Sequence, residues 1–219
     1  MRKKVLVLGG TQMIGRDFVC TLSKDDNYEI VLANRGITNP SLNSKYQHIT
    51  IDRNDKYKCQ SLANYRFNFV IDFSCYTSDQ LLNTIDYINS DVYILLSSMS
   101  IYDINDTQYD KKYIEYCINK KQAEELFITI SKFKTIIIRP CAVYGEHEYT
   151  DRFEKIQDEW FWKNTNIKAS DSENCIHVSI VTKLIIDLIK TIKQINTIID
   201  ITRDRSEEHT SELQSRFGI

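Results

Sequence analysis

The chain alternates two hydrophobic patterns, short unbroken apolar runs and longer stretches whose apolar residues recur every three or four positions. Val5 to Leu8 is such a run, and Met13, Ile14, Phe18, Val19 and Leu22 follow at helical spacing. Unbroken runs suit strands buried on both faces, as in a parallel sheet, and the wider period suits helices covering it. The same alternation predicts strands at Tyr28 to Ala33, His48 to Ile51, Phe67 to Phe73 and Asp91 to Leu96. A loop with Pro40 joins the second and third strands, and a helix follows the third through Leu62. Leu81, Leu82, Ile85 and Ile88 mark one helix face, and Ala123, Leu126, Phe127 and Ile130 continue another. Further on, Phe153 to Trp162 reads as an aromatic-rich helix, Cys175 to Val178 as a strand, Ile180 to Ile192 as a helix and Thr197 to Ile201 as a strand. The aromatic cluster Trp160, Phe161 and Trp162 reads as packing. Strict alternation of this kind implies an α/β fold with a parallel sheet covered on both sides and ligands held beyond the carboxyl ends of the strands.

Those ends are Gly9, Asn34, Asp52, Phe73 and Ser97, so polar or glycine punctuation recurs where a ligand should lie. The first is the most informative. Gly9-Gly10-Thr11-Gln12-Met13-Ile14-Gly15 carries the first strand into the first helix, whose unpaired N–H groups and positive dipole end suit a phosphate. Gly9 allows the tight turn and Gly15 close helix packing, as in a dinucleotide-binding unit, but Gln12 stands where the middle glycine would be. After the second strand comes Asn34-Arg35-Gly36, with no acid to bind an adenosine ribose. A neutral Asn34 and a fork-shaped cation at Arg35 favour NADP(H) over NAD(H). Asp52, Arg53 and Phe73, at the ends of the third and fourth strands, complete the expected cofactor-binding set with Lys120.

Tyr116 and Lys120 lie four apart and share one helix face; of the 13 tyrosines only Tyr116 has such a lysine. A phenol has a pKa near 10 and needs a neighbouring cation to act as a base near neutrality. Lys120 is that cation, Tyr116 the acid/base, and Ser98 the hydroxyl that orients the substrate, with Ser100 a weaker candidate.

The chain has 219 residues, 42% hydrophobic and 26% charged, with a formal net charge of -2. This is enough for one substantial core and a small second lobe, and gives no general electrostatic attraction for nucleic acid. No apolar run approaches the roughly 20 residues needed to span a bilayer. The basic start Met1-Arg2-Lys3-Lys4 leads into a strand rather than a signal peptide, so a cytoplasmic protein without membrane contact is expected. The six cysteines form no Cys-x-x-Cys pair and read as free thiols. Residues 205–215, Arg-Ser-Glu-Glu-His-Thr-Ser-Glu-Leu-Gln-Ser, look like a translated sequencing adapter, which would end native sequence near Asp204 and exclude His209 from any function.

With these residues in view, the chain resembles the extended short-chain dehydrogenase/reductases, the NAD(P)-dependent sugar epimerases and dehydratases. The carrying segments are Gly9 to Gly15, Ser97-Ser98-Met99-Ser100-Ile101-Tyr102, Tyr116 with Lys120, Arg139-Pro140-Cys141-Ala142-Val143-Tyr144-Gly145, and Ile176-His177-Val178-Ser179. The glycine motif, Asn34-Arg35-Gly36 and Tyr149-Thr150-Asp151-Arg152-Phe153 are more like the atypical branch that includes the chloroplast stem-loop-binding proteins. The resemblance implies a Rossmann-type doubly wound parallel sheet over residues 1–145 and a small truncated C-terminal substrate lobe over 146–204; the adapter-like stretch makes 205–219 an expected artefactual tail. It implies hydride transfer to or from a small-molecule substrate such as a nucleotide sugar, assisted by Tyr116 and Lys120. The atypical branch opens an alternative, a non-catalytic protein that binds RNA or senses NAD(P); of these, the net charge disfavours RNA. Homodimerisation stays open. Three departures are Gln12, the short interval from Ser98 to Tyr116, and Ser179 where an aspartate is common.

Overall fold

The computed structural model describes residues 2–130, 132–147, 175–191 and 196–202. Its strands are β1 (Lys3–Leu8), β2 (Tyr28–Asn34), β3 (Gln47–Thr50), β4 (Phe67–Asp72), β5 (Ser90–Leu96), β6 (Lys134–Pro140), β7 (Ala142–Tyr144), β8 (Cys175–His177) and β9 (Thr197–Ile201). The helices are α1 (Met13–Leu22), α2 (Pro40–Asn43), α3 (Lys56–Cys59), α4 (Ser78–Ile85), α5 (Lys111–Ile130) and α6 (Val178–Thr191).

Seven strands form one parallel sheet in the order β3-β2-β1-β4-β5-β6-β9. This is a Rossmann-type doubly wound sheet, and its strand order reverses between β1 and β4, where such sheets open a crevice at their carboxyl ends. β7 and β8 pair separately and in parallel, with Val143 opposite Ile176.

Successive side chains of each strand enter different cores, which explains the unbroken apolar runs. Val5, Val7, Ile30, Leu32, Phe69 and Ile71 pack with α1 and α6. Leu6, Leu8, Val31, Val70, Tyr93 and Leu95 pack with Leu81, Ala123 and Phe127 on the opposite face. Cys59, Cys75 and Cys117 are buried free thiols within this framework.

Four expected segments differ in detail. The Pro40 loop contains the single turn α2, because the Asn39 side chain caps it by accepting from the Leu42 N–H. The helix before Leu62 is α3 followed by a 3-10 turn at Gln60–Asn64. The polar loop after β5 begins with a 3-10 turn at Met99–Tyr102. Val178 opens α6 instead of closing β8. The helix expected at Phe153 to Trp162, its aromatic cluster, Tyr149 to Phe153, Ile192 and the 205–215 stretch lie outside the described residues.

Candidate functional site

The glycine turn lies at the switch between β1 and β4. Gly9 has φ +80°, which favours glycine, and a Cβ there would come within 2.7 Å of Ser74 Cβ. The turn therefore packs directly against the segment leaving β4. Gly15 is buried one turn into α1, where a Cβ would stand 2.2 Å from the Gly9 carbonyl oxygen. A Gly15→Ala substitution must push helix and turn apart, and we expect a loss of about 1–3 kcal/mol or more in urea unfolding. Unchanged unfolding would contradict this close approach.

Gly10 and Thr11 are buried beneath the turn, and Ile14 packs partly against the core. Gln12 is exposed, with φ -136° and ψ 151°, an extended conformation open to any residue. The missing glycine thus causes no backbone strain at this position. As N-cap of α1 its side chain makes no capping hydrogen bond, and the first turn of the helix holds no acid. Met13 follows with φ +42°, and its N–H points to the His147 carbonyl at 3.4 Å, so the segment after β7 reaches over the turn.

At the end of β2, Asn34 shapes the loop. Its Oδ1 accepts from the Gly36 N–H at 2.7 Å and lies 3.0 Å from His48 Nε2, and its Nδ2 donates to Asn43 Oδ1 at 3.0 Å. Gly36, at φ +76°, completes the turn, and Arg35 is left exposed between them. Asn43 and His48 were not distinguishable in the sequence, because nothing there pairs them with Asn34.

The third and fourth strand ends behave differently. Asp52 is half-buried, whereas Arg53 is only 8% exposed and turns inward. Its Nη1 donates to Asp72 at 2.7 Å, and its remaining N–H groups reach the Gln80 carbonyl and Thr84 Oγ1. Asp72, fully buried at the end of β4, also accepts from Tyr93 OH at 2.7 Å and the Ser74 N–H at 3.0 Å. Burial works against the Arg53 charge, but the Asp72 carboxylate outweighs it and holds the guanidinium firmly protonated. Tyr93 is pushed up by burial and then by Asp72, so it stays a neutral donor. Phe73 is buried with its ring 5.5 Å from that of Phe18, and its N–H donates to the Leu8 carbonyl.

Lys120 carries the clearest arrangement. It is 5% exposed, and its ammonium donates to the carbonyls of Cys75 at 2.8 Å and Leu96 at 3.0 Å, tying together the chain leaving β4 and the end of β5. Its pKa is lowered, chiefly by burial. The Tyr76 ring lies 4.9 Å from the Lys120 nitrogen and 6.4 Å from the Tyr116 ring, so the catalytic pair expected from sequence meets at Tyr76. Two residues beyond Leu96, Ser98 Oγ accepts from the Ser100 N–H at 3.2 Å, which leaves its own hydroxyl hydrogen available for donation. Tyr113, whose ring is 6.3 Å from that of Tyr116, donates to Asp103 at 2.7 Å, and its pKa is pushed up by burial and by that bond.

A second polar cluster ties α5 to the far strands. Arg139 pairs with the buried Glu124 and donates to Tyr102 OH, which donates to Asp200 at 2.7 Å. The Glu124 hydrogen bonds hold the Arg139 pKa up despite burial. No spacing in the sequence signals this cluster, which joins four separate elements.

No family model and no curated protein matches the chain. Among solved structures, the fold is similar to UDP-glucuronic acid 4-epimerase from Bacillus cereus in complex with NAD, with a TM-score of 0.67 and 17% identity over 99% of this chain and 83% of that one. It is also similar to a wide-type short-chain dehydrogenase/reductase from Veillonella parvula DSM 2008 in complex with NADP, with a TM-score of 0.66 and 16% identity over 92% of this chain and 95% of that one. ADP-L-glycero-D-manno-heptose-6-epimerase from Helicobacter pylori gives 0.66 and 14% over 99% and 83%. At these identities the likeness is one of fold.

Proposed function

We propose that the protein is an NAD(P)-dependent oxidoreductase or epimerase/dehydratase of the extended short-chain dehydrogenase/reductase type, acting on a nucleotide sugar or related hydroxylated substrate. The observation that carries this reading is the Lys120 ammonium, which bridges the chain leaving β4 and the end of β5, two residues before Ser98, from the face of α5 that bears Tyr116. The fold neighbours crystallised with NAD and NADP support the cofactor class, and the atypical look of the glycine motif is compatible with it.

The residues present fit a dinucleotide. The start of α1 lies at the β1/β4 crevice with no acid in its first turn and no side-chain cap from Gln12, and Gly9 and Gly15 keep the turn free of side chains. Gly10, Thr11, Gln12, Met13 and Ile14 supply the rest of that turn. Asn34 fixes the loop that presents Arg35 to a 2′-phosphate. Asp52 and the backbone near Phe73 border the adenosine side, and Arg53 acts through Asp72 to hold that wall. When bound, the cofactor supplies a hydride acceptor or donor.

Ser98 donates to the substrate oxygen and Tyr116 takes or returns its proton, with Lys120 favouring the phenolate. We assign residues 1–145 to the dinucleotide-binding unit and 146–204 to a substrate lobe interleaved with the last strands of the sheet. The test is direct titration of the purified chain with NADPH and NADH, followed by a panel of nucleotide sugars monitored for cofactor absorbance and for epimerised or dehydrated product. Turnover of any member supports the proposal. Cofactor binding with no turnover across the panel, or salt-sensitive RNA binding without it, replaces the enzyme by the sensing or RNA-binding alternative.

Cofactor preference is a separate expectation. NADPH should bind more tightly than NADH, and Arg35→Asp should weaken NADPH about 10- to 100-fold, the loss of charge-assisted hydrogen bonds, while leaving NADH nearly unchanged. Equal affinities in the unsubstituted protein would remove Arg35 from the site.

A further inference from the structure

We propose that Tyr76 is a positioning residue whose ring completes the surroundings of the Lys120 ammonium and holds it charged beside Tyr116. For catalysis this rests on the reaction proposed above; the contact itself does not.

Burying a lysine to 5% exposure removes the water that would stabilise its charge, and the protein must replace it. Two carbonyl oxygens do so in part, those of Cys75 and Leu96. An ammonium has three N–H donors, and the remaining side of Lys120 meets the Tyr76 ring, whose π electrons attract a cation. The ring is therefore a ligand to the charge as well as a cover.

Tyr76 is unusual in being 44% exposed while its backbone is fixed. Its N–H donates to Gln80 Oε1 at 2.9 Å, and Gln80 in turn donates from its own N–H to Thr77 Oγ1 and from Nε2 to Asn54. Ser74, two residues earlier, is held by Asp72. A partly exposed aromatic residue on so well anchored a segment is placed, not merely tolerated. Its ring centroid also lies 6.4 Å from that of Tyr116, so one ring neighbours both members of the pair.

The other ionisable groups around Lys120 are Cys75 on the segment after β4, Asp72 at the end of β4, Arg53 after β3, and Glu124 and Tyr116 on α5. The Cys75 thiol is pushed up by burial and so adds no negative charge near neutrality. Asp72 is matched by Arg53, and Glu124 by Arg139. Neither carboxylate is left over for Lys120, which increases the share that falls to the two carbonyls and the ring.

The test reads Lys120 itself. In protein labelled with 13C at the lysine ε-carbon, with the resonance assigned through Lys120→Arg, the pH titration of Lys120 is followed in the unsubstituted chain and in Tyr76→Phe, Tyr76→Leu and Tyr76→Met. Phenylalanine keeps the ring and should leave the midpoint in place. Leucine and methionine keep apolar cover without the ring and should lower the midpoint by roughly one pH unit. A midpoint that is unchanged or raised in both apolar variants would overturn the proposal, because the ring would then be only a cover. Two apolar variants guard against one that fails to fold. The titration needs no turnover, so it decides the contact even if no substrate is found. If turnover is found, the alkaline limb of kcat should move to lower pH in the leucine variant and not in the phenylalanine variant, whereas a merely structural role would lower kcat without moving the limb.

Discussion

Phenylalanine at position 116 should lower turnover roughly 100- to 10,000-fold, the usual contribution of a positioned acid/base, while leaving NADPH affinity and folding stability unchanged. The substitution removes one oxygen and keeps the ring contacts to Tyr76 and Tyr113. Nothing in the glycine turn changes, so the effect should fall on kcat rather than on affinity for the proposed cofactor. The nearest rival, Tyr113, is poorly suited to proton transfer because its hydroxyl is engaged by Asp103 and its pKa is raised. Tyr113→Phe should accordingly retain turnover within about tenfold, since it leaves the acid/base group intact. Steady-state kinetics on whichever substrate the panel identifies, alongside calorimetric titration of NADPH, check both. If Tyr116→Phe keeps its rate and Tyr113→Phe loses it, the roles are exchanged.

Strand placement was readable because strands buried on both faces need unbroken apolar runs, and the central stretches of β1, β2, β4 and β5 have them. The glycine turn was readable because Gly9 and Gly15 answer steric demands that few other residues meet. Side-chain environments were less accessible, since their partners are distant in sequence. Lys120 finds its carbonyls 45 and 24 residues away, and no period or motif encodes them. Arg53 follows Asp52 at a strand end, so it read as a ligand-facing cation. Its partner is Asp72, 19 residues on, and only the packing of β4 brings them together. One signal did exist: an aspartate closing the apolar run Phe-Val-Ile-Asp needs a counter-charge if the strand is buried to its end. Tyr76 had no comparable signal, because its importance depends on where α5 places Lys120.

Asp72→Asn should destabilise the protein by about 3–5 kcal/mol, because it keeps the shape of the side chain and removes the carboxylate that, among the described residues, pairs with the buried Arg53. In a chain of this size that corresponds to a Tm lowered by roughly 6–20 °C. The cost arises mainly from the stranded Arg53, so the order of effects is diagnostic. Arg53→Met combined with Asp72→Leu should be less damaging than Asp72→Asn alone, even though Tyr93 OH and the Ser74 N–H lose their acceptor. Urea unfolding of Arg53→Met, Asp72→Leu and the double variant that combines them gives the coupling energy directly. A single-variant loss below about 1 kcal/mol would mean that the pair behaves as a surface ion pair, contrary to its burial. The consequence reaches the site because Asp72 holds the Ser74 N–H, and Ser74 is the surface against which Gly9 turns. Loosening that wall should weaken NADPH binding in the stably folded double variant as well. A double variant that regains stability but not cofactor affinity would separate the two roles of the ion pair: the charge balance serves the core, and the geometry of Asp72 serves the crevice.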